Sequence, residues 1–475
     1  MNFDLNRRNF LKGAFAVGAT SMVSGCATTG FGGVEGAPMH GFAAPALRNI
    51  RLGIVGMGGR GQGVMERIKG LPGIEVVAVC DCNPEKVRQS QARLANAGKA
   101  KAKEYIGTEA WRALCDDPNV DVVYNTTPWE LHVPVALAAM NGGKHVLTEV
   151  PSAFTVDECW DLVETSERTK RHCMQLENCC YGEDELLALS MCRKGVLGTL
   201  AHAECGYVHD RRAGIFDDAY PDHWRLKWNV AHAGNQYPTH GLRPVCQCFD
   251  VNRGDRLDYL VSVDSLGGAY EDYARETFPE GDWKRDVRFR MANVNTTVIR
   301  TVKGRTILVN HDVATARPYT RCNLISGTKG VIRAYPLRIH VEEPERRAQH
   351  LTEFSAERTE DLRRLHRHPL WATAGKIAGE VGGHGGMDYL MDLRWAWCLH
   401  EGLPLDMDVY DLASTCAVCE LSERSAVSGS HPEEIPDFTR GGWKSASPLG
   451  IEDVDLVKMG FDPSRIVSGG AEMNI

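Results

Sequence analysis

No stretch of this 475-residue chain approaches the ~20 consecutive apolar residues that a membrane-spanning helix requires. Basic residues are not in excess either. A formal net charge of −8 argues against a nucleic-acid binder, which would carry a basic face, and no run of like charge makes a tail. The expected partner is a small molecule. The sixteen cysteines lack the pattern of a disulfide framework: leaving Cys26 aside they are odd in number and scattered through apolar stretches such as VVAVCDC, as reduced core thiols are. Cys416 and Cys419 form a CxxC and Cys179 and Cys180 are adjacent. Neither pair has a second Cys or His pair at zinc spacing, so no metal is expected.

What the amino terminus does contain is brief. NRRNFLKGAFAVGATSMVSGCATTG puts Arg7 and Arg8 before Asn9, Phe10, Leu11 and Lys12, then a short Ala- and Gly-rich apolar stretch, the form of a twin-arginine export signal. Val23, Ser24, Gly25 and Cys26 match a bacterial lipoprotein processing box in which Cys26 becomes a lipid anchor. The alternative is that Cys26 is a small residue near an ordinary cleavage site. Residues 1–48 are therefore expected to be signal and flexible tether, and the mature protein soluble in the periplasm or a membrane-tethered lipoprotein. This route carries proteins already folded in the reducing cytoplasm, which suits the many thiols.

Chain length predicts two packed domains plus extensions. From Asn49, NIRLGIVGMGGRGQGVMERIKG runs from a short apolar strand through Gly56, Gly58 and Gly61 into a helical pattern. A second strand, IEVVAVCD, ends in Asp81, twenty residues past Gly61. Together these make a dinucleotide fingerprint: the glycines admit a pyrophosphate to the positive end of a helix, and Asp81 accepts from the ribose hydroxyls. Asp81 would repel a 2′-phosphate and favours NAD over NADP. Arg60 works the other way, since a guanidinium near that ribose would tolerate a phosphate. Strands VDVVYNTT, KHVLTEV and HCMQLEN then alternate with helices over 130–141 and 156–170, the rhythm of a doubly wound parallel sheet.

After about Leu197 the pattern becomes that of hairpins, as in VNTTVIRTVKGRTILVNHD and NLISGTKGVIRAYP, with Lys-Gly at the turns. Helical periodicity returns over 387–399 and 409–422. The expected architecture is a Rossmann domain over 49–178, an α+β substrate domain with a large open, mainly antiparallel sheet over 179–430, and a C-terminal extension over 431–475. A homo-oligomer is expected. GNQYPTHG at 234–241 reads as a polar loop, with Pro and Gly as its punctuation.

Export and a dinucleotide site conflict chemically, because no NAD pool is available for exchange outside the cytoplasm. The cofactor must be loaded before export and restored in every cycle. Two reaction types meet that demand: hydride transfer between two sugars, and temporary withdrawal of hydride from one.

The chain resembles the glucose-fructose oxidoreductase and inositol dehydrogenase superfamily and, within it, the NAD-dependent glycoside hydrolase family 109, the α-N-acetylgalactosaminidases. The resemblance spans about residues 50–444 and is carried by PWELH at 128–132, EV at 149–150, ENCCY at 177–181, YPTHG at 237–241, DVNRGDRL at 250–257, RPY at 317–319, GHGGMDY at 383–389 and EIPDFT at 434–439. It implies that Gly59, Arg60, Asp81, Trp129, Glu130, Leu131, His132, Glu149, Val150, Asn178 and Arg225 contact NAD. Tyr237, Pro238, Thr239 and His240 would lie between cofactor and sugar, and Tyr207, Tyr237 and Tyr319 would touch the sugar. One departure from the wider superfamily is telling. Its dehydrogenases carry a lysine in an EKP motif, where this chain has Val150 in TEVPSA, so another group must handle the proton.

The family chemistry implies that hydride leaves C3 for NAD, that the C3 ketone acidifies the C2 proton, that a base removes it, and that the C1 substituent is eliminated. Water then adds at C1 and the hydride returns, a route outside the two-carboxylate scheme of most glycosidases. His240 suits the base, since imidazole titrates near neutrality; Tyr207 and Tyr237 are the other catalytic candidates. A self-regenerating sugar oxidoreductase and a non-catalytic sugar-binding protein with structural NAD are the competing functions. His384 and Asp388 could reach the site, but the Gly-rich turn that holds them reads equally well as the cap of the following helix. The basic run Arg363–Arg367 reads as a solvated helix face.

Overall fold

Six strands, apolar on both faces at the centre and polar at the β3 edge, form the first sheet: β1 (Ile50–Val55), β2 (Ile74–Asp81), β3 (Lys103–Ile106), β4 (Val122–Asn125), β5 (His145–Thr148) and β6 (Cys173–Gln175). All pairings are parallel, in the order β3-β2-β1-β4-β5-β6. Every residue of β4 and β5 is buried, as strands covered by helices on both sides must be. The order reverses between β1 and β4, and the crevice beyond their carboxyl ends is where such sheets bind ligands. This computed structural model describes residues 38–348, 353–448 and 451–462. Arg7, Arg8 and Cys26, which carry the export and lipid-anchor readings, lie outside them.

The second sheet contains β7 (Leu200–Val208), β8 (Leu257–Asp264), β9 (Asn295–Thr301), β10 (Thr306–Asp312), β11 (Leu324–Gly327), β12 (Gly330–Arg333), β13 (Arg338–Val341) and β14 (Glu433–Glu434). Its order is β13-β12-β11-β7-β10-β9-β8-β14, antiparallel except for the β7–β10 pair. Hairpins close at Lys303–Gly304 and at Thr328–Lys329, just before Gly330, and Gly304 takes a φ of 87° that its turn requires. Helices Thr239–Cys248 and Val418–Val427 pack on one face, while Tyr259, Val263 and Val298 are exposed on the other. The two-residue β14 falls within the segment set apart as an extension, and is too short to leave a strand pattern.

Two helices begin with capping boxes, Val156–Thr169 at Thr155 and Val409–Cys416 at Asp408. The helical pattern over 409–422 resolves into two helices, Val409–Cys416 and Val418–Val427, which meet at Ala417. At the start of the 130–141 pattern a 3-10 turn, Trp129–Leu131, precedes the helix His132–Asn141. All fifteen described cysteines are free. Cys416 is buried, and burial pushes its thiol up to about 12, so it is an inert core group. Arg363 and Arg367 reach Glu183, whereas Arg364 pairs only locally with Asp361.

Candidate active site

The glycines after β1 divide into two kinds. Gly56 has a φ of 91°, and a Cβ there would stand 2.7 Å from the Thr126 carbonyl; one at Gly61 would run into the Gly56 carbonyl. Gly58 and Gly59 face open space. The first kind lets chain approach chain, and the second leaves the N-terminus of helix Gly59–Ile68 uncovered as a cradle for an anion. Asp81 closes the far side. Its carboxylate accepts from Met57 N at 2.6 Å and Asn83 N at 2.8 Å, which leaves lone pairs for ribose hydroxyls. These residues fit a dinucleotide.

Arg60, the first side chain of that helix, is held by two carboxylates. Its Nε donates to Glu149 Oε1 at 2.6 Å and its Nη1 to Asp388 Oδ2 at 2.7 Å. A guanidinium committed in this way is not free to greet a 2′-phosphate, which removes the argument for NADP. Asp388 also accepts from Asn178 Nδ2 at 2.6 Å and lies 3.0 Å from His384 Nδ1. Burial works to raise the Asp388 carboxyl, but the His384 hydrogen bond and the charges of Arg60 and Arg67 outweigh it and hold the group far below the usual carboxylate range. Burial raises Glu149 in spite of Arg60. The GHGG segment is indeed a turn: Gly383, Gly385 and Gly386 all have positive φ. It also delivers Asp388 into the cofactor site.

Beyond β4, Trp129 is the centre of an aromatic box, with ring centroids of Phe154 and Trp224 at 5.1 Å, Trp228 at 5.6 Å and Tyr237 at 5.8 Å. The Arg225 guanidinium lies 4.8 Å from the Trp129 ring and hydrogen-bonds Tyr220. Glu130 is exposed and Leu131 half-buried. His132 is fully buried, its Nδ1 2.6 Å from Pro151 O and its Nε2 3.0 Å from Thr127 O. Burial takes its pKa down to about 4, so it is a neutral strut between the loops after β4 and β5. Val150, which precedes Pro151 in sequence, is buried and offers no proton.

The segment GNQYPTHG is a buried loop that turns into a helix, not a polar loop throughout. Asn235 and Gln236 are buried and bond to Ser422 and Cys419 of the neighbouring helix. The helix Thr239–Cys248 begins inside YPTHG, so His240 stands in its first turn. Pro238, Gly241 and Pro244 hide that helix from a propensity reading. Gly241 is needed for a packing reason, since a Cβ there would collide with Gly206 of β7.

That close approach brings His240 to Tyr207, whose rings are 5.3 Å apart, with Tyr237 4.7 Å from Tyr207 and 4.9 Å from His240. Tyr319, at the exposed edge, lies 6.2 Å from Tyr207. Trp129, Tyr207, Arg225 and Tyr237 also line a cleft of about 280 Å³. His240 Nδ1 meets Glu177 Oε1 at 2.7 Å. Burial tends to raise the Glu177 carboxyl, but the interaction with His240 prevails and holds it below its ordinary value. Glu177 is a carboxylate that fixes the orientation of the imidazole ring. Cys179 offers a third ligand-type atom within 4.8 Å, and burial raises its thiol well above the ordinary range.

Sequence reasoning missed Glu177, although it directly precedes Asn178 just beyond the end of β6, where residues merit inspection. It weighed Asp388 and set it aside.

The cofactor half matches the family model "Oxidoreductase family, NAD-binding Rossmann fold" over residues 50–176. The fold as a whole is similar to levoglucosan dehydrogenase in complex with NADH and L-sorbose, with a TM-score of 0.61 and 19% identity, covering 82% of this chain and 99% of that one. The protein is thus an NAD-binding protein built on a Rossmann domain. Residues 181–445 match the model "Glycosyl hydrolase 109, C-terminal domain". A glycosyl hydrolase family 109 protein of Solibacter usitatus is 44% identical over 84% of this chain and 90% of its own length; the α-N-acetylgalactosaminidase of Bacteroides fragilis is 41% identical over 85% and 95%. The chain belongs to glycosyl hydrolase family 109.

Proposed function

We propose that this enzyme removes terminal α-N-acetylgalactosamine from glycosides, with one NAD that is kept and restored in each cycle. Bound NAD supplies a hydride acceptor and donor at C3 of the sugar, and Gly58, Gly59, Asp81, Arg60, Glu149, Asn178 and Trp129 are the residues that would hold it. The C3 ketone makes the C2 proton acidic. His240, oriented by Glu177, takes that proton, the substituent at C1 departs, water adds and the proton returns to C2. Tyr237 and Tyr319 present hydroxyls to the ring, and the aromatic box around Trp129 excludes water.

The observation that carries this reading is the Glu177–His240 pair at 2.7 Å, a base placed among tyrosines where Val150 leaves the sister dehydrogenases' lysine missing. The 41% identity to a protein named α-N-acetylgalactosaminidase supports the substrate. We also propose export by the twin-arginine route, with a lipid anchor at Cys26, and a homo-oligomer that covers Tyr259, Val263 and Val298.

The test is incubation of purified protein with 4-nitrophenyl α-N-acetylgalactosaminide in heavy water without added NAD. Nitrophenol release with deuterium at C2 is expected. Steady oxidation of a free sugar with no release from any hexosaminide would instead establish an oxidoreductase, and neither reaction would leave a sugar-binding protein.

A further inference from the structure

The elimination requires two proton movements, at C2 and at the oxygen on C1, and the Glu177–His240 pair accounts for the first. A second hydrogen-bonded pair includes the Tyr207 hydroxyl itself. His209 lies one residue beyond β7 and two beyond Tyr207, so both side chains leave the same face of the strand. The Tyr207 hydroxyl and His209 Nδ1 are 3.2 Å apart. His209 N donates to Asp312 O at 2.9 Å, which anchors the residue to the end of β10. Its ring meets the Tyr319 ring edge-on at 5.2 Å, and Arg321 Nη1 donates to the Tyr319 hydroxyl at 2.9 Å. The imidazole is therefore held from its backbone, from its Nδ1 and on one face.

Resting on the hydrolytic reading above, we propose that His209 is the positioning residue of Tyr207: it aims the Tyr207 hydroxyl at the C1 oxygen and hydrogen-bonds the phenolate left when that oxygen departs. In the step, the C2–H bond breaks, its proton passes to His240, and its electron pair becomes the C1–C2 double bond. The C1–O bond breaks, its electrons stay on oxygen, and that oxygen takes the Tyr207 proton. His209 Nδ1–H then donates to the phenolate oxygen. When water adds, its oxygen bonds C1, one of its protons returns to Tyr207 and the proton held by His240 passes back to C2, so both groups end as they began.

The surroundings suit this role. Tyr207 is buried, and burial raises its hydroxyl pKa against the pull of Arg225 and Arg211. A phenolate there needs a donor. Burial and the Arg211 charge lower His209, and a neutral imidazole has one N–H to give.

The experiment compares leaving groups on the NAD-loaded, full-length enzyme. Nitrophenolate departs without a proton, whereas methoxide needs one. His209→Ala is expected to lower kcat on methyl α-N-acetylgalactosaminide by roughly 100-fold, within the range of a lost general acid, and on the 4-nitrophenyl glycoside by less than about threefold. In heavy water, methyl glycoside recovered unhydrolysed should carry deuterium at C2, because the deprotonated sugar returns instead of eliminating. His209→Asn, too short to reach the hydroxyl, should repeat the bias without an apolar gap, and His209→Gln should restore part of the methyl rate. Equal losses on both glycosides, or no loss on either, with wild-type C2 deuteration intact would overturn the role of His209 alone. Wild-type enzyme that incorporates no deuterium at C2 overturns the hydrolytic reading beneath it.

Discussion

Replacing Glu177 by Gln removes one charge and almost no volume. Glu177 Oε1 receives two contacts, Cys179 N–H at 3.1 Å and His240 Nδ1 at 2.7 Å, and the amide oxygen of Gln can take both. The ring keeps its orientation and loses only the anion that stabilises it as it gains a proton. Unit charges about 4 Å apart at an effective dielectric near 20 interact by about 4 kcal/mol. Reorganisation consumes part of this, and charge-assisted hydrogen bonds contribute about 1.5–3 kcal/mol net. Glu177→Gln should therefore lower kcat by roughly 10- to 150-fold. The assay is nitrophenol release together with deuterium incorporation at C2, with bound NAD measured on the same preparation. Both rates should fall together while KM and NAD content stay near wild type. A variant that retains its cofactor and works within twofold of wild type would refute the role given to this carboxylate, and with it the argument that His240 is the base.

Asp388→Asn removes a buried anion shared by Arg60, Arg67 and Asn178. The expected cost is about 3–5 kcal/mol, seen as a lower Tm and less NAD surviving gel filtration. Because the folded-state carboxyl is held low, its stabilisation is complete above the ordinary carboxylate pKa of about 4 and declines as pH falls below it. Wild-type Tm should therefore drop on acidification through about pH 5 to 3, and the Asn variant should show a shallower drop by calorimetry. Gly241→Ala forces the His240 helix away from Gly206 of β7; about 1–3 kcal/mol of stability and at least roughly tenfold in kcat should be lost, with NAD content kept. Changing Arg7 and Arg8 both to Lys should leave active, NAD-loaded precursor in the cytoplasm, and Cys26→Ser should release exported enzyme from membranes; fractionation reads both.

The parts of the site that sequence disclosed are those written locally. Gly56, Gly58, Gly61 and Asp81 can be read because a strand, a tight turn and a helix are consecutive, and Gly56 and Gly61 answer steric demands within a few residues or just beyond the adjoining strand. Asp388 answers a demand from Arg60, 328 residues earlier, and nothing in MDY announces it. The aromatic box was only half legible: Trp129 follows a strand, but Trp224 and Trp228 lie on a short helix, Trp224–Ala231, whose end is tied to the distant Arg290 and Met291 backbone. His240 was found as a residue and misplaced as structure, because a helix containing Gly241 and Pro244 defies propensity and is stabilised by its packing on β7. His209 left no signal. A lone histidine two positions after a strand tyrosine gains meaning only when the pleat puts both on one face.

The contact between Arg60 and Asp388 bears on how the enzyme is made. A growing chain that has reached residue 178 already has every strand and glycine of the nucleotide fold, yet Arg60 lacks one of its two anions and Asn178 lacks its acceptor. Both arrive with the helix Met387–Glu401, near the end of synthesis. The order of translation thus withholds a finished cofactor seat until nearly the whole polypeptide has emerged, and retention of the dinucleotide becomes a report on completion: a truncated or misassembled chain would let it go, while a complete one would hold it.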